Sequence, residues 1–260
     1  MVRLGKNING YLGETIDIRE VSTDIEESAR RHGWAIEHFL DSETLRLTAL
    51  HRPSQAGGQD AARVYVSTGI HGDEPAGPLA VSHLLRENDF PTEAEFWICP
   101  CLNPSGFRLN RRENAEGTDL NRQYLQPKAE ETLAHIAWLR RQPRFDVCLC
   151  LHEDWESHGF YVYELNPDQQ PSLAEVIVEA VARECPIDLS EIIEGRPAEK
   201  GIIRPSVDPR TRPQWPEAFY LLNHHTRLSY TLEAPSDFPL ATRVAALRAG
   251  VRAALSRFLS

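Results

Sequence analysis

The stretch RVYVSTGIHGDEPAGPLAVSHLLR, residues 63–86, decides the fold class. Its first six residues read as a strand rich in β-branched and aromatic side chains. Residues 74–86 read as a helix, and the polar turn Gly69 to Asp73 joins the two. The same alternation runs outward in both directions. Strands are predicted over 45–51, 96–101, 147–151, 160–165 and 228–232, and helices over 127–141, 173–183 and 240–258. Strand and helix periods that alternate in this way predict an α/β fold with a mixed, mostly parallel central sheet flanked by helices. No repeat, low-complexity tract or long linker divides the chain, so residues 1–260 are expected to form a single domain.

Composition narrows the function. The chain has 260 residues, 41% hydrophobic and 25% charged, enough to bury a sizeable core. A formal charge of −10 with no basic block disfavours nucleic acid and acidic membrane surfaces. No apolar run reaches the roughly 20 residues of a membrane span, and the start MVRLGKNINGYLGE has no apolar leader core, so a cytoplasmic protein is expected. Five cysteines lack any C-x-x-C pair. Cys99/Cys101 and Cys148/Cys150 alternate within apolar strands, as reduced core side chains would.

In an open α/β sheet, ligands bind outside the carboxyl ends of the strands. His71-Gly72-Asp73-Glu74 follows the strand at 63–68, Asn103-Pro104-Ser105-Gly106 follows 96–101, His152-Glu153-Asp154 follows 147–151, and Glu233 follows 228–232. Four strands therefore deliver imidazoles and carboxylates to one rim. Two histidines and one glutamate, His71, Glu74 and His152, make the ligand set of a catalytic zinc site, with the fourth position left to water and one Zn2+ per chain. Glu233, at the end of an apolar strand, is the candidate base for that water's proton. Asp73, Glu153 and Asp154 add acid to the rim and predict a cationic group on the substrate. The proline-rich loop 186–216 is long enough to have a role of its own, such as closing the pocket.

These residues resemble the M14 zinc metallocarboxypeptidases. The resemblance rests on H-G-D-E at 71–74, N-P-S-G-F at 103–107, R-x6-D-L-N-R at 112–122, L-H-E-D at 151–154 and Y-T-L-E at 230–233, in the family's order. The first 40 residues and 166–226 carry no matching motif. The compact chain looks most like the small bacterial members, including murein-peptide amidases, and shares its core with the aspartoacylase and succinylglutamate desuccinylase branch.

The resemblance implies a zinc-carboxypeptidase-like (phosphorylase/hydrolase-like) fold. It implies Glu233 as general base, Arg112 as the guanidinium at a developing oxyanion with neighbouring Arg111 as its alternative, Asn121 and Arg122 as the grip on a substrate carboxylate, and Asp119 as the carboxylate that orients His71. The mobile tyrosine of the classical carboxypeptidases has Tyr220 as its nearest match, with Trp215 weaker. The expected activity is zinc-dependent cleavage of an amide bond next to a free carboxylate, in murein or other small peptides. Deacylation of N-acyl amino acids is the alternative, and a catalytically dead binding protein the third reading. The oligomeric state is left open.

Overall fold

A computed structural model describes residues 16–56, 61–208 and 212–260. The opening stretch MVRLGKNINGYLGE and Gly57–Gly58 of the turn after the first expected strand lie outside them.

The chain opens with α1 (Ile18–Arg31), capped by Asp17, whose carboxylate accepts from the Arg19 amide at 2.8 Å. Val21, Ile25, Ser28 and Ala29 recur on its buried face. The antiparallel pair β1 (Ala35–Asp41) and β2 (Arg46–Arg52) follows, then β3 (Arg63–Thr68), α2 (Ala76–Arg86) and β4 (Glu95–Cys99). Next come α3 (Pro104–Leu109), α4 (Glu130–Leu139), β5 (Val147–Asp154), β6 (Tyr161–Leu165) and α5 (Ala174–Val181). The expected loop 186–216 contains three two-residue strands, β7 (Ile192–Ile193), β8 (Arg196–Pro197) and β9 (Ile202–Ile203). α6 (Glu217–His224), β10 (Ser229–Pro235) and α7 (Leu240–Phe258) complete the chain.

Eight strands form one mixed sheet in the order β1-β2-β4-β3-β5-β10-β6-β9, with β4, β3, β5 and β10 parallel at its centre. Both faces are covered, and the side-chain parity of β5 shows how. Leu149 and Leu151 enter the core under α1, α2, α5 and α7, whereas Cys148 and Cys150 enter the core under α4 and α6. All five cysteines are free and buried. The fold is the expected one, a mostly parallel sheet between helices. Several readings change in detail. α1, β1, α3 and α6 add to the expected elements; α2 starts after Pro75 rather than at Glu74; β4 ends at Cys99, two residues before the expected end; and β5 runs to Asp154, three residues past it. Among the described residues no helix is long and apolar enough to cross a membrane.

Candidate active site

The parallel strands bring His71, Glu74, His152 and Glu233 together at their carboxyl ends. His71 lies in the turn after β3. That turn packs so closely on α3 that a Cβ on Gly72 would sit 1.9 Å from the Gly106 carbonyl carbon. Only glycine permits this approach. Nδ1 of His71 lies 2.5 Å from one Glu74 oxygen, and Nδ1 of His152 lies 3.0 Å from the other. The Glu153 amide also donates to Glu74, at 3.1 Å. Burial pushes the Glu74 carboxyl up, but the two imidazoles more than offset it and hold the group well below the usual carboxylate range.

One donor atom from each of His71, Glu74 and His152 lies within 4.8 Å of the others, and all three residues are buried. Two imidazole nitrogens and a carboxylate oxygen at this spacing fit a divalent zinc ion, with the remaining side facing a cleft of about 640 Å³.

Asp119 backs His71. Its Oδ1 lies 3.4 Å from His71 Nε2 and accepts from the Asn121 amide at 2.9 Å, while Oδ2 accepts from Arg112 Nε at 2.9 Å. Burial opposes the charge on Asp119, but His71 and Arg112 outweigh it and draw the carboxyl below its ordinary value. Arg112 Nη1 also lies 3.8 Å from Glu74, so the guanidinium stands at the lip of this donor cluster. Arg111 does not compete for that place. Its guanidinium donates to the Asn114 carbonyl and, at 2.7 Å, to that of Ala115, anchoring its own loop.

Glu233 pairs in register with His152 across the parallel β5–β10 ladder and lines the cleft. Burial raises its carboxyl well above the usual range, with Glu74 and Asp154 adding to the effect and His152 opposing it. Asn121 and Arg122 form a 3₁₀ turn with Leu120 and line the same cleft. Asn121 Oδ1 accepts from the Glu217 amide at 2.8 Å, which fixes its side-chain amide. The Glu217 carboxylate points under the site and accepts from Tyr65 Oη at 3.0 Å and Ser67 Oγ at 2.9 Å. Burial pushes its carboxyl up to about 6.

Two expected contributors turn their side chains elsewhere, although Glu153 still borders the cleft. Tyr220 is buried in α6 with its ring 4.5 Å from His224 and 5.7 Å from Tyr124, and it does not line the cleft. Tyr161 and Tyr163 of β6 occupy the wall instead. Glu153 alternates to the opposite face of β5 from His152, where Arg243 of α7 pairs with it and the Ala76 amide donates to it at 2.6 Å. Asp154 does face the cleft, with its Oδ2 accepting from Tyr161 Oη at 3.1 Å. Sequence reading also passed over Glu217, Arg196 and Arg212, which belong to segments without a motif.

Residues 60–199, more than half of the chain, match the succinylglutamate desuccinylase/aspartoacylase catalytic domain. The chain belongs to that family. Its relatives also include metallocarboxypeptidase-like proteins. Murein peptide amidase A of Escherichia coli is 30% identical over 97 residues, which cover 37% of this chain and 39% of the amidase. Carboxypeptidase SOL1 of Arabidopsis thaliana is 30% identical over 122 residues, 39% of this chain and 24% of that protein. The chain thus spans well under half the length of these two relatives. Among solved structures, a candidate metallopeptidase of Shewanella amazonensis superposes with a TM-score of 0.80 at 24% identity, covering 93% of both chains. At that identity the likeness shows the shared fold of the family member described here and its neighbour.

Proposed function

We propose that this chain is a zinc-dependent hydrolase that cuts an amide bond next to a free carboxylate, as a carboxypeptidase or small-peptide amidase does. The observation that carries this reading is the convergence of His71, Glu74 and His152 at one end of a cleft also lined by Glu233, Arg112, Asn121 and Arg122. His71, Glu74 and His152 would hold the zinc, which when bound activates water and polarises the scissile carbonyl.

The remaining work falls to the protein. Glu233 accepts a proton at its carboxylate and returns it to the leaving amine; its raised pKa suits both halves of that exchange. Arg112, held by Asp119, presents a fixed positive charge to the oxyanion. Arg122 offers a planar two-donor fork to the substrate carboxylate, and Asn121 adds a side-chain amide whose orientation the Glu217 amide sets. Asp119 steadies the His71 ring through Nε2.

The family match over 60–199 favours a second reading on the same machinery, deacylation of N-acyl amino acids. One experiment separates the readings: amine release by the zinc-loaded protein from N-acyl dipeptides and from simple N-acyl amino acids, with zinc stoichiometry measured in parallel. Dipeptide cleavage supports the amidase. Turnover of N-acyl amino acids alone transfers the assignment to a deacylase, and one bound zinc without turnover of either marks a binding protein.

A further inference from the structure

Beneath the cleft floor lies a buried polar network that the proposed chemistry does not use. Its centre is His135 of α4, a buried ring stacked beside Tyr65 and Trp138. Both ring nitrogens are engaged. Nδ1 lies 2.7 Å from Tyr124 Oη and Nε2 lies 2.9 Å from Tyr65 Oη, with Cys99 Sγ further off at 3.9 Å from Nε2. Tyr65 in turn donates to Glu217 Oε1 at 3.0 Å, and Ser67 donates to Oε2 of the same carboxylate at 2.9 Å.

The protons of this network have one arrangement. Burial holds the His135 pKa down at about 3, with His225 adding to the effect, so the ring carries a single proton at neutral pH. Tyr65 has one hydroxyl proton, which Glu217 takes, so Tyr65 Oη can only accept from His135. The imidazole proton is therefore on Nε2, Nδ1 is the acceptor, and the Tyr124 hydroxyl donates to it. Every proton has one acceptor, and a buried network satisfied in this way specifies a single geometry.

Tyr124 is placed to pass that geometry on. It follows the 3₁₀ turn Leu120–Arg122 by two residues, its amide donates to the Trp215 carbonyl at 3.2 Å, and its ring lies 5.7 Å from Tyr220 of α6. The other end of the turn is tied as well, since Asp119 accepts from the Asn121 amide. Asn121 and Arg122 thus sit between two anchors.

We infer that Tyr124 and His135, neither of which lines the cleft, are positioning residues whose directed hydrogen bonds fix the Asn121–Arg122 turn and with it the grip on the substrate. The inference rests on the role proposed for that turn in hydrolysis. Glu217 sets the direction of the chain, and Glu217→Gln keeps an acceptor oxygen for Tyr65, so the chain tolerates that change.

The test compares the zinc-loaded full chain with Tyr124→Phe, which deletes only the hydroxyl, and with His135→Phe. At pH 7.5, above the Glu217 pKa of about 6, nitrogen NMR of the parent should show His135 as a neutral ring protonated at Nε2, its signal identified by its loss in His135→Phe. Where that variant does not fold, the ring whose Nδ1 signal moves in Tyr124→Phe identifies it. Protonation at Nδ1, or at both nitrogens, overturns the inference. In Tyr124→Phe the Asn121 side-chain amide and Arg122 Nε–H signals should shift while those of α7 stay in place. Unmoved Asn121 and Arg122 signals overturn the positioning role, and equal shifts in α7 overturn it too, because they mark a general loosening. With N-acetyl dipeptides, loss of one neutral hydrogen bond predicts a roughly three- to tenfold rise in KM for Tyr124→Phe with kcat little changed. An unchanged KM, or a loss confined to kcat, overturns the inference. Should the parent cleave no dipeptide, the hydrolysis reading fails, and the spectra still decide whether Tyr124 and His135 hold the turn.

Discussion

The two walls of the cleft are built differently. The wall at the sheet ends carries its functional groups on β5, β10 and the turn after β3, with the side chains of His71, Glu74 and His152 only 3%, 6% and 5% exposed. The opposite wall carries Arg196 and Arg212 on a two-residue hairpin and a loop, both half-buried. Buried strand ends hold donor atoms to the tolerances that metal binding and proton transfer require. Loops on a rigid scaffold can change without disturbing those atoms, and this is where selection among substrates is usually placed. The two walls of one cleft thus differ in stiffness.

The sharpest way to break this division is to remove a donor from the stiff wall. His152→Ala is expected to bind well under one zinc per chain and to show no turnover above background, with an unchanged far-UV circular dichroism spectrum. A full zinc equivalent in that variant would remove the metal from the sheet ends. Glu233→Gln is the next largest change: kcat falls by about 10²–10⁴, while zinc content and KM stay near those of the parent. Activity within a few-fold of the parent would place the base elsewhere.

How legible the two walls were in the sequence follows the same division. β3 was read with its exact limits because a strand buried on both faces leaves an apolar run bounded by a turn. The end of β5 was read three residues short because His152, Glu153 and Asp154 are polar, although they continue the ladder opposite Glu233, Ala234 and Pro235. Strand parity was the missed signal, since residues 152 and 154 must share a face that 153 does not. His71, Glu74 and His152 were legible because the metal site proposed for them admits few residue types. The hairpin was not: Glu194 occupies a left-handed conformation that sequence preferences assign to Asn, Asp or Gly. Tyr220 was misjudged as a cleft residue because α6 went unrecognised, and its period turns that ring towards Tyr124.

Beneath the stiff wall, the Glu153–Arg243 pair fastens α7 to the strand end. Both side chains are completely buried, and the Glu153 amide in turn holds Glu74. Arg243→Met would leave an unpaired buried carboxylate, and a loss of roughly 3–5 kcal/mol is expected in urea unfolding. A loss under about 1 kcal/mol would mean that the wall relaxes and owes its rigidity to something else. Replacing both partners by apolar residues of similar volume should recover most of the loss, which separates the cost of the lone charge from the worth of the pair.

The smallest expected effect comes from the residue that joins the walls. Glu217 starts α6, orients Asn121 through its backbone amide, and sends its carboxyl inward to Tyr65 and Ser67. Burial raises that carboxyl from 4.5 to about 6. The folded protein therefore holds the proton more tightly than the unfolded chain. Stability from this group is fully present below pH 4.5 and declines as pH rises through 6, by about 2 kcal/mol in total. Glu217→Gln removes the titration while keeping the backbone donor. The difference in unfolding free energy between parent and variant, at matched metal content, should shift by about 2 kcal/mol in the variant's favour between pH 4.5 and 7.5, with KM unchanged within a few-fold. A pH-independent difference would mean that Glu217 is ionised throughout. A large rise in KM would mean that its carboxylate, and not only its amide, sets the position of Asn121.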